Sequence, residues 1–360
     1  MKIFLGLLAT LMFSASIAMA DYTLIVPQKP GQGTAVWADI VATNLSKYLD
    51  EPVVVRHIPG ARDIPGFNKF HNELRFDDKT IMVAHGGNGV AYLLDDVDYD
   101  YKDYELIGLM NLDIVVGKRV DKDVKSAKWR IAGSAGYEPD GMAVAMLICG
   151  PQPDNKIDAY LDCWKQRTVW VNGLGGGERR MGFIRGEYDI TRESPAAWIK
   201  FYTNNAENSV GNEIWFTHGT LNWNTGEQMP DHNFPGTQFE DVYERTWGER
   251  PSGEMYNAYR LTRNWRDVIQ KSMWVNKGNP NKTKIVLAMR AMLNNPEDVA
   301  RIETKTGKYE WVLGFGDTGR RVLDMLQDLI TERALRGAVK WNQEAYGFDS
   351  IFKENLVVHQ

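Results

Sequence analysis

The chain has 360 residues, a quarter of them charged, and a formal net charge of −5. That length exceeds what one core usually serves, so two domains are expected. No basic block accompanies the mild acidity, which argues against nucleic acid as a partner.

Lys2 makes a short basic start, Ile3 to Phe13 an apolar stretch, and Ala18-Met19-Ala20 a small-x-small cleavage pattern. An apolar core of about 11 residues is short of the roughly 20 that span a bilayer. Residues 1–20 therefore read as a signal peptide cleaved after Ala20, and the chain as exported. Behind it, Leu24–Val26 predicts a strand, Gln28–Thr34 a glycine-rich turn, and Val36–Leu49 an amphipathic helix. Val53–Val55, a helix near Gly66–Leu74, and Thr80–Ala84 continue a βαβαβ order, which predicts a parallel sheet covered by helices.

After the extended run Leu112–Val116 the pattern restarts. Trp129–Ala132, Thr168–Val171 and Tyr188–Thr191 read as strands, with helices over Gly141–Ile148 and Gly177–Ile184. Asn204–Pro251, rich in Asn, Gly, Pro and Trp, reads as a long packed loop. Ser272–Val275 reads as a strand and Lys282–Leu293 as a helix. A second helix starts near Pro296, and a third spans roughly Thr318–Arg336.

Cys149 and Cys163 are the only cysteines. An even count in an exported chain favours a disulfide over two buried thiols. The 12 tryptophans fit a core with long packed loops; a sugar-stacking cleft is the alternative, tested by quenching with neutral saccharides.

Five polar turns follow predicted strands: Gln28–Thr34, His85–Asn88, Gly133–Tyr137, Asn172–Gly177 and Arg192–Ser194. Glycine lets backbone approach a ligand and offer N–H donors, and a helix start adds a positive end. Enzyme patterns fit less well. Gly173-Leu174-Gly175-Gly176-Gly177-Glu178 has Glu where a dinucleotide fingerprint needs a third Gly or Ala. Ala132-Gly133-Ser134-Ala135-Gly136 is one residue away from a nucleophile elbow, so an exported serine hydrolase using Ser134 is the competing reading. The six histidines lack zinc spacing, and Asp95–Asp100 lacks the Gly and Glu of an EF-hand. Neither metal nor cofactor is expected.

The order of motifs resembles the solute receptors of tripartite tricarboxylate transporters, the Bug family. The family's strand-Pro-glycine loop is similar to Ile25-Val26-Pro27 and Pro30-Gly31-Gln32-Gly33-Thr34, and its Pro-Val-Val-Val strand to Pro52–Val55. Its N-x-P-G-A-G-G segment is matched by His57-Ile58-Pro59-Gly60-Ala61, with Arg62-Asp63 in place of the glycines. Tyr99–Tyr104, Arg185–Ala197 and Asn294–Val299 resemble later family segments. Ala35 stands where the family has its loop Asp, and Glu193 where it usually has Asp.

The resemblance implies an α/β, two-lobe type II periplasmic-binding fold with a ligand cleft between lobes. Lobe I would be 21–118 plus 266–360, and lobe II 119–265. It implies a periplasmic receptor, without enzymatic activity, that closes on a small carboxylate and delivers it to two membrane subunits; monomer is the default state. Gln28, Lys29, Gly31, Gln32, Gly33 and Thr34, flanked by His85, Gly87 and Asn88, would hold one carboxylate. Ser134, Ala135, Gly136 and Tyr137, with Gly173, Leu174, Gly175 and Gly176, would hold the far end. Arg192 and Glu193 would read any other polar group.

Overall fold

The computed structural model describes residues 21–133, 138–223 and 225–357. The first sheet begins with β1 (Tyr22–Val26), α1 (Gly33–Leu49), β2 (Val53–His57), α2 (Ile64–Lys69) and β3 (Thr80–Ala84). Helix α3 (Gly86–Leu94) and β4 (Tyr104–Met110) lead to β5 (Val115–Arg119) in the second sheet. There follow β6 (Trp129–Ala132), α4 (Asp140–Cys149), α5 (Ile157–Arg167), β7 (Thr168–Val171), α6 (Gly176–Ile184) and β8 (Ile190–Glu193). Short helices α7 (Pro195–Trp198) and α8 (Ala206–Ser209) precede β9 (Asn212–Thr217) and the ribbon β10 (Thr220–Leu221) and β11 (Gln228–Met229). Then α9 (Phe239–Trp247) and α10 (Gly253–Ile269) return the chain to β12 (Ser272–Asn276). Last come α11 (Lys282–Leu293), α12 (Pro296–Thr306), β13 (Trp311–Leu313), α13 (Thr318–Gln327) and α14 (Glu332–Tyr346).

The first sheet has the order β13-β4-β12-β3-β1-β2, and the second β7-β6-β8-β5-β9. β1 pairs parallel with β2 and β3, as the βαβ pattern requires. The sheet is nevertheless mixed. β12, arriving from the second lobe, inserts antiparallel between β3 and β4, and β5 sits antiparallel between β8 and β9. Each lobe is thus entered or re-entered on a strand that runs against its neighbours.

Several elements depart from the sequence reading. His85–Asn88, expected as a turn, is the N-cap and first turn of α3. Its glycines hide it, being poor helix formers, yet close packing requires them: a Cβ on Gly89 would lie 2.4 Å from the Trp265 carbonyl oxygen. The expected loop 204–251 contains α8, β9 and α9. The expected single helix Thr318–Arg336 is two, with Thr331 Oγ1 capping α14 at Ala334 N (3.2 Å). The Cys149–Cys163 disulfide ties the end of α4 to α5, with Cα atoms 6.1 Å apart.

Helix α10 is the axis of the core. It carries Met255, Ala258, Tyr259, Leu261, Trp265 and Ile269, all buried, and packs against α3, α4 and α14. One hydrophobic cluster runs from Phe67 and Tyr99 through Trp265 to Phe216 and Tyr259, so the lobes share core on this side. Trp37, Trp129, Trp265, Trp274 and Trp341 are fully buried, and the tryptophans are largely core residues.

Candidate functional site

A cleft of about 580 Å³ opens where loops of the two sheets meet. From the first lobe it is lined by Gln28, Lys29 and Gln32, by Pro59–Asp63, and by His85 and Gly87. From the second lobe come Gly173, Leu174 and Gly175, and α10 contributes Arg266.

Three of these residues are helix N-caps: Gln32 for α1, His85 for α3 and Gly175 for α6. Their helices therefore start at the cleft, each bringing a partial positive charge. At α3 the first amides already have partners: Gly86 N on Gln270 Oε1 (3.3 Å), Gly87 N on His85 Nδ1 and Asn88 N on the His85 carbonyl (2.8 Å). In the β1–α1 loop, Gln28 Oε1 accepts from Thr34 N (3.1 Å) and Gln32 Oε1 from Lys29 N (2.9 Å). The amides of Gly31 and Gly33 find no partner among the described residues. Gly31 has φ +85°, which favours glycine, whereas Gly33 has ordinary φ and open space at its Cβ position.

At α3, His85 Nδ1 lies 2.5 Å from Asp63 Oδ2 and 3.2 Å from Gly87 N. One proton decides between these contacts. A protonated Nδ1 donates to Asp63 and releases the Gly87 amide; a bare Nδ1 accepts from it. Asn88 is fully buried and holds the loop, taking His85 N on Oδ1 (2.9 Å) and giving Nδ2 to the Asp63 carbonyl (2.8 Å). At α6, the Gly175 amide is capped by Glu178 Oε2 (2.7 Å).

Arg62 and Asp63 sit in left-handed backbone, at φ +53° and +63°. For non-glycine residues that costs about 1–2 kcal/mol each. Arg62 is held by buried Asp95, 2.6 Å away, and Asp63 by His85 and Asn88.

Beneath the cleft lies a buried charge cluster. Arg179 Nη1 meets Glu138 Oε1 at 2.5 Å, and Arg192 reaches Asp140 Oδ2 (2.8 Å) and Glu138 Oε1 (3.4 Å). His218, with no exposed surface, sits between Asp267 Oδ2 and Asp140 Oδ1, each 2.7 Å away. The Asp140 contact is an ion pair. Arg266 Nη1 pairs with Asp267 Oδ1 at 3.0 Å. Burial opposes every charge here. The arginines nevertheless hold Glu138 below the usual carboxylate range, and Arg192 and His218 do the same for Asp140. Burial alone would lower the His218 pKa, but Asp267 and Asp140 push it up to about 9. Burial, and Arg192 beside it, lower the pKa of Arg266.

The expected site residues thus separate. Gln28, Lys29, Gln32, His85, Gly87, Gly173, Leu174 and Gly175 converge on the cleft. Gly31, Gly33, Thr34 and Gly176 lie one step behind its lining, in the same turns. Asn88 is a structural brace, and Arg192 is engaged with Glu138 and Asp140. Glu193 is buried and takes both oxygens to Arg180, at 2.8 and 2.6 Å. Ser134, Ala135, Gly136 and Tyr137 lie outside the described residues, as does the elbow serine of the hydrolase reading. No tryptophan lines the cleft among the described residues. The sequence reading missed Pro59–Asp63 as a wall, although the Pro-Gly-Ala motif marked it. It also missed Arg266, for which no local signal exists.

No protein-family model and no curated protein matches the sequence. Solved structures do. The periplasmic binding protein BugD aligns at TM-score 0.55 and 16% identity, over 90% of this chain and 97% of BugD. The fold is that of the two-lobed periplasmic binding proteins. A Rhodopseudomonas palustris protein solved with adipate aligns at TM-score 0.53 and 12% identity, over 92% of this chain and 98% of that one. MatC from the same organism, with bound malate, aligns at TM-score 0.50 and 14% identity, over 88% and 97%. The periplasmic-binding architecture agrees with the resemblance read from the motifs.

Proposed function

We propose that this chain is a periplasmic solute receptor that captures a small carboxylate between its lobes and delivers it to a tripartite transporter. The observation that carries the reading is the convergence of three helix N-caps and Arg266 on one cleft. Such a seat favours an anion through fixed dipoles and N–H donors. Malate and adipate in the structurally similar proteins support the ligand class.

In this reading the lobes are 21–114 plus 266–360 and 115–265, and residues 1–20 are a signal cleaved after Ala20. The first crossing falls before residue 118 because β5 (Val115–Arg119) belongs to the second sheet. The amides of Gly31 and Gly33 hold one carboxylate, beside His85 and Gly87, and the Gly173–Gly176 turn holds the distal end. Closure is driven by contacts that both lobes make only when closed. The receptor acts as a monomer, catalyses no reaction, and presents both lobes to two membrane subunits.

A thermal-shift screen across mono-, di- and tricarboxylates tests this. A ligand at 100 times its dissociation constant stabilises by about 2.7 kcal/mol. If no carboxylate shifts the transition and isothermal titration finds no heat, the ligand class is wrong.

A further inference from the structure

The turn 173–177 faces the cleft from the second lobe, and all of its residues but Leu174 are glycine. Glycine backbone populates many conformations, so this turn does little to fix its own position. It is fixed from behind by an aromatic stack. The ring of Tyr346, the last residue of α14, lies on Trp170 of β7 with centroids 4.6 Å apart and planes 20° apart. Trp170 Nε1 donates to Asn172 Oδ1, and Asn172 Nδ2 donates to the Tyr346 carbonyl (2.9 Å). The buried Tyr346 hydroxyl donates to the Glu138 carbonyl (2.7 Å). The rings leave no room for side chains: a Cβ on Gly133 would lie 2.0 Å from Trp170 Cζ2, and one on Gly141 2.1 Å from the Tyr346 hydroxyl. Gly133 in turn accepts from Leu174 N (3.1 Å). The amide directly after Asn172, Gly173 N, finds no partner among the described residues, and Gly173 lines the cleft.

The same element reaches the other side of the cleft. α14 packs on α3, and beyond α14 the chain is tied to that helix again. Ile351 N donates to the Leu94 carbonyl (2.7 Å), and Lys353 Nζ to the Tyr92 carbonyl (3.0 Å). Both carbonyls belong to α3, whose N-cap His85 lines the cleft from the first lobe. α14 and the segment after it thus join the helix that carries one seat to the turn that carries the other.

We infer that Tyr346 is a specificity-determining residue of the receptor. Acting through Trp170 and Asn172, it fixes the distance between the two seats, and with it the length of the carboxylate that spans them. The inference rests on the carboxylate-receptor reading and deepens it. Tyr346 is not among the residues lining the cleft, so its role is positioning rather than contact. A turn already ordered loses little freedom on binding, so a ligand of matching length binds tightly and other lengths bind poorly. Released from Tyr346, the same glycine-rich turn adapts to several lengths and must be ordered each time. The best ligand is then weakened most.

Isothermal titration with acetate, succinate, glutarate, adipate and citrate, beside urea unfolding of each variant, provides the test. Wild type should prefer one length clearly over its neighbours. We expect Tyr346→Leu to weaken that ligand at least about tenfold and to narrow the spread between lengths. Tyr346→Phe keeps the stack and the main-chain tie to Asn172, and should stay within about threefold of wild type. Asn172→Ala leaves both rings in place but cuts the turn loose from them. Asn172 is exposed, so this variant should fold, and it should narrow the spread as Tyr346→Leu does. A Tyr346→Leu variant that is less stable but keeps the wild-type affinities makes the stack packing alone and overturns the inference. So does a folded variant in which every acid weakens by one factor. Asn172→Ala with the wild-type ranking overturns it even where Tyr346→Leu does not fold. Wild type with one affinity for every length, or with acetate as its best ligand, overturns it without any variant. If wild type binds none of these acids, the receptor reading falls as well. If wild type binds with a length preference that both variants keep, this inference falls alone.

Discussion

The β1–α1 turn and the turn after β2 line the same cleft, and both place residues in left-handed backbone. The first uses glycine, with Gly31 at φ +85° and nothing near its Cβ position. The second uses Arg62 and Asp63, at φ +53° and +63°, where the family resemblance has glycines. The first turn meets its conformational demand at no steric cost. The second meets it by tertiary ties: Arg62 to Asp95, and Asp63 to His85 and Asn88. In exchange it puts a cation and a carboxylate on the cleft wall, which glycines cannot do. A left-handed position is therefore a backbone requirement first, and its residue type reflects what else the site needs.

Four variants sharpen or break this contrast. The largest effect is expected from Arg62→Ala, which keeps the left-handed cost and removes the ion pair to buried Asp95. It should lower stability by about 2 kcal/mol, read as the urea midpoint at unchanged slope. A midpoint like wild type would mean that this turn is not held by that pair. Gly31→Ala imposes a Cβ at positive φ and should cost about 1–2 kcal/mol by the same measurement. Equal stability there would remove the distinction between the two turns.

Gly33→Val sits at ordinary φ with open space, so the fold should be intact by circular dichroism. Its side chain should still obstruct the anion and weaken carboxylate binding at least about tenfold, roughly 1.4 kcal/mol. Normal folding with unchanged affinity would move the ligand away from this turn. Lys29→Ala should cost least. Lys29 is exposed, so its removal should chiefly flatten the dependence of binding on salt. A salt slope equal to wild type would show that Lys29 faces solvent rather than ligand.

Local signals read well wherever the chain repeats one simple pattern. β1, β2 and β3 were legible because a short apolar run bounded by Gly, Pro or Asp has few other uses. α1, α11 and the start of α12 at Pro296 were legible from spacing and caps. α3 and α10 were not. α3 is buried along its whole length and carries three glycines, so neither amphipathicity nor propensity marks it. α10 buries Arg263, Asn264, Arg266 and Asp267 beside its apolar residues, and polar side chains that satisfy one another in the interior read as surface.

The same division holds at the site. Gln28, Lys29, Gln32, His85 and Gly173–Gly175 were legible as turns that follow strands. A turn with glycine and a helix start makes an anion seat from its own backbone, which needs only local sequence. Arg266 lies in the last turn of α10, far along the chain from every other lining residue, and nothing beside it in sequence marks it. Its meaning depends on Asp267, Arg192, His218 and Asp140, which converge from α4, β8, β9 and α10 only when the chain is folded. The amino-acid sequence by itself determined the strands, the turns and their N–H donors, because those follow from short-range sterics and hydrogen bonding. The tertiary structure alone decided where the buried charges gather, because Coulomb interactions depend on distance in space and on exclusion of water, and neither is written in residue order.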